Sequence, residues 1–173
     1  MKVTDHEVLV APREVHDLVF RCARVAGLDV GAADRVGRNV TFAEVHLGEA
    51  VNCFVSVLND SVRLLTEYDL GPDVLVSAEV EAKNAGSASV VFGVPTPLAA
   101  LASVIADIEG RGIGVDGVPE GATGATVVER LQIGGPALPA GLANTTRAAR
   151  DGLVMNSETF DALNVAAREF LVA

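Results

Sequence analysis

Residues 33–58 read ADRVGRNVTFAEVHLGEAVNCFVSVL. Ala33, Val36, Val40, Ala43, Leu47, Ala50, Phe54 and Val57 recur at alternating spacings of three and four, the signature of an apolar seam along one helix face. The spacing predicts one long helix that other elements must cover along its whole length. Gly48 lies inside it and is a point of weakness, since Gly in an exposed helix interior costs roughly 1 kcal/mol relative to Ala.

Upstream of that stretch, Pro12 suits the first turn of a helix, and Val15, Leu18, Val19, Cys22, Ala23 and Ala26 mark its apolar face up to Gly27. The short connection Leu28 to Gly31 then makes an antiparallel helical hairpin. Val8-Leu9-Val10 suits an edge strand before it. Downstream, Asn59-Asp60-Ser61 are capping residues for a fresh helix through Leu65, and Gly71-Pro72 reads as the end of the helical region.

From Val74 the period changes. Val76, Ala78, Val80 and Ala82 alternate with Ser77, Glu79 and Glu81, which predicts a half-buried strand. Asn84-Ala85-Gly86 is turn chemistry, and Ala88, Val90, Phe92 and Val94 resume the alternation, so a β-hairpin centred on Val76 and Val90 is expected. Thr96-Pro97 opens another helix, with Leu98, Leu101, Ile105 and Ile108 inward and an end near Gly110 or Gly112. Ile113 to Val115 and Thr126 to Ile133 suggest strands, and Leu142 to Arg150 suggests a helix. Ser157 caps a last helix with Phe160, Leu163, Ala167 and Phe170 on its apolar face. Two Gly- and Pro-rich stretches, Pro119 to Gly124 and Gly134 to Gly141, fit a site-forming edge. The expected fold class is α+β: an N-terminal helical hairpin with one long helix, packed on a small, largely antiparallel sheet. A single domain over 1–173 is expected, helical over 11–70 and sheet-containing over 74–173.

Composition narrows the function. Half of the 173 residues are hydrophobic but only 4% are aromatic and none is Trp, so Ala, Val and Leu must fill the core. The net charge of −10, from 23 acids against 13 Lys and Arg, repels a phosphate backbone and excludes nucleic acid as a partner. No apolar run is long enough for a membrane span, and no signal-peptide pattern opens the chain. Cys22 and Cys53 sit in amphipathic patterns as isolated thiols, so a cytoplasmic location is expected.

The motifs are sparse. Gly112-Ile113-Gly114-Val115-Asp116-Gly117 matches G-x-G-x-x-G literally, yet a helix precedes it and Val118-Pro119 follows, which suits a helix-to-strand turn rather than a pyrophosphate cradle. His6, His16 and His46 are scattered without metal-ligand spacing, so no metal is expected. His46, Glu49 and Cys53 share a face at spacings of three and four. His46 is flanked by Glu44 and Glu49; a carboxylate raises an imidazole pKa and burial lowers it, which suits acid–base work near neutrality. A boundary histidine on a helix with acidic neighbours fits the same residues.

The segment from Val10 to Leu58 resembles the N-terminal helical region of the malate/L-lactate dehydrogenase family, the non-Rossmann, sulfolactate-dehydrogenase-like type. There an amphipathic helix is followed by a second one leading to an Asp-Ser-His-Gly motif that carries the catalytic His. Here the stretch reads Ala43-Glu44-Val45-His46-Leu47-Gly48: the His is in place, Asp and Ser are absent, and Leu47 separates His from Gly. Ala102 to Val115 also resembles that family's helix leading into a Gly-Ile-Gly turn. The family's Arg after the motif is replaced around Asn52, and 173 residues are too few for its full nicotinamide-binding domain. Short bacterial proteins share the N-terminal pattern and a terminal helix like Ser157 to Val172, a group that implies no activity.

Two function classes follow. One is a small-molecule enzyme, a shortened relative of 2-hydroxyacid or 2-oxoacid enzymes, with His46 moving a proton, Glu49 orienting it, and Asn52, Arg147 and Arg150 receiving a small carboxylate. The other is a non-catalytic dimerising or ligand-holding domain that keeps only the scaffold. A homodimer burying part of the long seam is expected in either case. No nicotinamide or other cofactor is expected to bind tightly, because the sole glycine motif lacks its context and no cationic cluster offsets the negative charge.

Overall fold

The computed structural model describes residues 6–137 and 152–171. The α+β class holds. Helices α1 (Pro12–Val25) and α2 (Val30–Leu47) form the antiparallel hairpin, with Pro12 in the first turn of α1 and Asp29 capping α2 by accepting the Ala32 N–H at 2.8 Å. Strand β1 (Glu7–Val10) precedes them and pairs antiparallel with a late strand, Leu153–Asn156.

The long helix predicted over 33–58 is broken. It ends at Leu47, and a short helix α3 (Ala50–Val55) restarts the seam. Ala33, Val36, Val40, Ala43, Ala50, Phe54 and Val57 are all buried, so the seam survives as two helices. Gly48, at φ 71° and ψ 173°, adopts a conformation essentially reserved for glycine. Glu49 follows in the left-handed region at φ 60°, and it is the sole non-glycine residue with positive φ among the described residues.

Three contacts hold the break in place. The Glu44 carboxylate accepts the Val51 N–H at 2.8 Å and so caps α3. Gly124 donates its N–H to the Gly48 carbonyl at 2.8 Å. Gly124 also lies so close to α3 that a Cβ there would stand 2.5 Å from the Ala50 Cβ. The Gly- and Pro-rich stretch ending at Gly124 is therefore a wedge against the helix break.

Residues 61–85 correct the sequence reading most. A one-turn helix α4 (Ser61–Arg63), capped by Asp60 as expected, passes into a π-helical segment, Leu64–Leu70, and on into α5 (Gly71–Ala85). Gly71-Pro72 does not stop the helix. Pro72 falls in the first turn of α5, where a missing N–H is tolerated, and Gly71 lets the helix approach Thr96 and Leu101. The expected strand over 74–82 is helix, so the Val76/Val90 hairpin does not exist and the 70/74 division falls inside one helical run. Physically, the alternating valines are the solvent side: Val74, Val76 and Val80 are exposed, while Leu75, Ala78, Glu79 and Ala82 are buried at helical spacing. Glu79 joins that face because Arg111 grips it at 2.6 and 2.8 Å and Lys83 at 2.8 Å, which holds its carboxyl below the usual range. Gly86 ends α5 as a left-handed cap rather than turning a hairpin.

Strand β2 (Ser87–Pro97) instead pairs antiparallel with β4 (Val127–Pro136), which also takes β3 (Ile113–Asp116) on its other edge. The order β2-β4-β3 makes a three-stranded antiparallel sheet, and the late strand at 153–156, β5, completes the separate pair with β1. Ala88, Val90 and Phe92 point inward against α5. Helix α6 (Leu98–Gly110) packs between the hairpin and the sheet, so α2 reaches the sheet through α6. Its first N–H groups, Leu98 and Ala99, donate to Thr126 and Gly124 carbonyls. Helix α7 (Ser157–Arg168), capped by Asn156 rather than Ser157, lies on α1, where Cys22 donates to the Leu163 carbonyl at 3.3 Å. The expected helix Leu142 to Arg150 lies outside the described residues. Among the described residues, no helix is long and apolar enough to cross a membrane.

Candidate active site

The α1–α2–α6 junction leaves a cavity of about 410 Å³. Arg38, Thr41, Phe42, Val45 and His46 reach it from one face of α2, beside the apolar seam, at spacings of three and four. His16 enters from α1, and Ser103 and Asp107 enter from α6. Gly37 admits His16: a Cβ at that position would stand 3.0 Å from the imidazole.

His46 lies against Phe42, with ring centroids 4.1 Å apart, and its Nε2 is buried without a hydrogen-bond partner in the protein. Two further atoms nearby on α2 share that condition, Thr41 Oγ1 and Asn39 Nδ2. Asn39 is fully buried, and its Oδ1 accepts the Ser103 hydroxyl at 2.5 Å. A buried polar atom left unpaired costs about 1–3 kcal/mol, so a cluster of them beside a cavity is an expensive arrangement for packing alone. Asp34 holds Arg38 through Nε at 3.2 Å and faces His16 Nε2 at 3.5 Å.

Burial pushes the His46 imidazole below its ordinary value of 6.5. Well above pH 6.5 the ring is neutral in folded and unfolded chains alike. As pH falls, the unfolded ring takes up a proton that the folded one resists, so this group removes stability from about pH 6.5 down through its folded pKa. A His46→Gln variant should therefore lose less stability than the parent between pH 7.5 and 5.5 in urea unfolding. Equal losses would show that His46 is not desolvated.

Glu49, paired with His46 in the sequence reading, is elsewhere. The break at Gly48 and the left-handed turn at Glu49 carry it to a second cavity, of about 390 Å³, with Glu44, Asn52, Asn156, Glu158 and Thr159. Asn52 lies there too, its Oδ1 accepting from Thr159 Oγ1 at 3.4 Å. Burial raises the Glu44 carboxyl despite the N–H groups it caps. Cys53 accepts from the Tyr68 hydroxyl at 3.5 Å, and burial raises its thiol. The common face expected for His46, Glu49 and Cys53 is thus undone by the helix break. Arg147 and Arg150 lie outside the described residues.

The residues that do surround His46 were missed in the sequence, apart from His46 itself. Arg38, Thr41 and Phe42 precede it by eight, five and four positions, a helical signal that was legible; His16 and Ser103 arrive only by tertiary packing.

No protein-family model matches the chain. No curated protein matches it either. Its fold is similar to a solved malate dehydrogenase, that of Pyrococcus horikoshii OT3. The TM-score is 0.51 at 14% identity, over 66% of this chain and 41% of that one. At that identity the likeness is one of fold, and the chain spans less than half the length of the neighbour.

The G-x-G-x-x-G match at 112–117 does not fit a dinucleotide. It leaves the end of α6 and runs into β3, and no helix begins within it. The starts of α2, α3, α6 and α7 are occupied by the chain's own oxygens, from Asp29, Glu44, Gly124 with Thr126, and Asn156. Among the described residues, no set of three or more His, Cys, Asp and Glu side chains is placed to hold a metal ion.

Proposed function

We propose that the chain is a small-molecule enzyme that binds a short organic acid in the His46 cavity and exchanges a proton with it. The observation that carries this reading is the buried, unpartnered Nε2 of His46 in a cavity that also presents Arg38. A desolvated imidazole stays neutral near pH 7 and is ready to accept a proton from a ligand hydroxyl, and the imidazolium so formed can return that proton in the reverse direction. A guanidinium is the side chain suited to a carboxylate, through two parallel N–H bonds. The fold likeness to malate dehydrogenase agrees with a 2-hydroxy or 2-oxo acid, although Glu49 and Asn52 belong to the other cavity and would act on a ligand there. Binding and proton transfer are the steps these residues perform; no redox partner is assigned to them. A cytoplasmic location belongs to the same proposal, in keeping with the free thiols of Cys22 and Cys53.

The test is a titration with 2-hydroxyisovalerate and 2-oxoisovalerate, followed by NMR of the His46 ring. Saturable shifts of His46 are expected, and their absence at millimolar concentration for every short carboxylate tried overturns the reading. NADH and NADPH, added in a parallel titration read by nicotinamide fluorescence, are expected to give no saturable response at micromolar concentration.

A non-catalytic dimerising scaffold is the second reading. What favours it is an exposed apolar row on the 61–85 helix, including Val62, Leu65, Val76 and Val80. The α2–α3 seam offers such a dimer nothing, because the chain itself covers it. Light scattering that showed a dimer, together with silence in the acid titration, would favour this reading.

A further inference from the structure

We propose that the ligand of the His46 cavity carries an ammonium group beside its carboxylate, as an α-amino acid does. This inference rests on the ligand reading above and goes beyond it by assigning the acceptors. The Ser103 hydroxyl spends its one proton on Asn39 Oδ1, so what Ser103 offers the cavity is lone pairs. Asp107 lies one helical turn further along α6 on the same face and lines the same cavity. It makes no ion pair within 4 Å among the described residues; Arg111, just past the end of α6, feels its charge but is bonded to Glu79 at 2.6 and 2.8 Å. Thr41 Oγ1, buried and unpartnered, can accept a hydrogen bond or donate one.

The helix directions place these groups. Ser103 meets Asn39, while Ala99, one turn earlier on α6, is tied through Gly124 to Gly48, so α2 and α6 run antiparallel. Ser103, opposite Asn39, therefore falls beside Arg38, and Asp107 one turn further toward the start of α2, so the acceptors of α6 gather at the Arg38 end of the cavity. Arg38 supplies donors for a carboxylate, while both nitrogens of His16 already face carboxylates, Asp17 at 3.7 Å and Asp34 at 3.5 Å; Asp107 and Ser103 supply acceptors, and Thr41 can accept or donate. An ammonium has three N–H donors for three acceptors, a 2-hydroxy acid has one, and a 2-oxo acid has none. Phe42 and Val45 leave an apolar wall for a short side chain.

The test uses three ligands with one carbon skeleton: L-valine, 2-hydroxyisovalerate and 2-oxoisovalerate. Each is titrated into the full chain by calorimetry and by His46 NMR. L-Valine is expected to bind about tenfold or more tightly than either acid, because a site built of hydrogen-bonding groups rejects the analogue that leaves them unpaired. In Asp107→Asn the preference should collapse or reverse, since the variant no longer repels the plain acids. Ser103→Ala should weaken L-valine more than 2-oxoisovalerate. If the two acids bind as tightly as L-valine, or if Asp107→Asn leaves its preference intact, the ammonium is overturned while the carboxylate site stands. If none of the three binds, both readings fall.

Discussion

A Gly124→Ala substitution is expected to destabilise the protein by about 3 kcal/mol, the upper part of the range for forcing extra volume into a packed site. At this chain length that corresponds to a melting temperature lower by roughly 6–12 °C. The added methyl would stand 2.5 Å from the Ala50 Cβ, 2.7 Å from its Cα and 2.8 Å from its N. Two of those three atoms are backbone, so no side-chain rotation relieves the overlap and either the wedge or α3 must move. Movement in turn strains the 2.8 Å Gly124-to-Gly48 hydrogen bond, the Ala99-to-Gly124 bond that starts α6, and the Glu44 cap on Val51. Glu49→Gly is the matched control with the opposite sign. It relieves a left-handed residue at φ 60°, where an L side chain costs about 1–2 kcal/mol, against the extra chain entropy that glycine brings to the unfolded state. A net gain of about 0.5–1 kcal/mol is expected. Calorimetric melting of both variants checks the pair. A Gly124→Ala protein that melts with the parent would mean that the wedge is not closed against α3.

Arg38→Ala is expected to weaken binding of a short carboxylic acid at the His46 cavity by about 10- to 150-fold, the loss of a charge-assisted hydrogen bond worth about 1.5–3 kcal/mol. Stability should barely change. The side chain is more than half exposed and its one ion pair among the described residues, with Asp34 at 3.2 Å, is of the surface kind, worth about 0–1 kcal/mol. That separation makes the experiment decisive, because a folded variant with lost affinity locates the anion. Arg38→Lys should restore only part of the affinity, since an ammonium lacks the planar fork of a guanidinium. Unchanged affinity in Arg38→Ala would move the carboxylate away from α2 and leave His46 without a ligand anchor.

The helical hairpin, the cap at Asp60, the α6 core residues and the last helix were all legible in the sequence, because each rests on local rules: period, capping chemistry and glycine ends. The strands β3 and β4 were legible too, but their partners were not. At 74–82 the sequence pointed the wrong way. Alternating β-branched residues satisfy a strand period and can equally sit on the outer side of a helix whose inner face is Leu75, Ala78 and Ala82, and Glu79 disguises that face until Arg111 arrives from a distant turn.

For the site, the sequence by itself determined that His46 lies beside a long apolar seam and that Arg38, Thr41 and Phe42 share its side of the helix, since helical spacing places them there. Tertiary structure alone decided the company they keep. The Gly48 break and the wedge of Gly124 turn Glu49 and Asn52 away to another cavity, while α1 and α6 bring His16, Ser103 and Asp107 to His46. The physical reason is range. A helix face is set by neighbours within two turns, whereas which side chains enclose a cavity depends on packing between distant segments, 91 positions apart from His16 to Asp107 and 115 from Glu44 to Thr159.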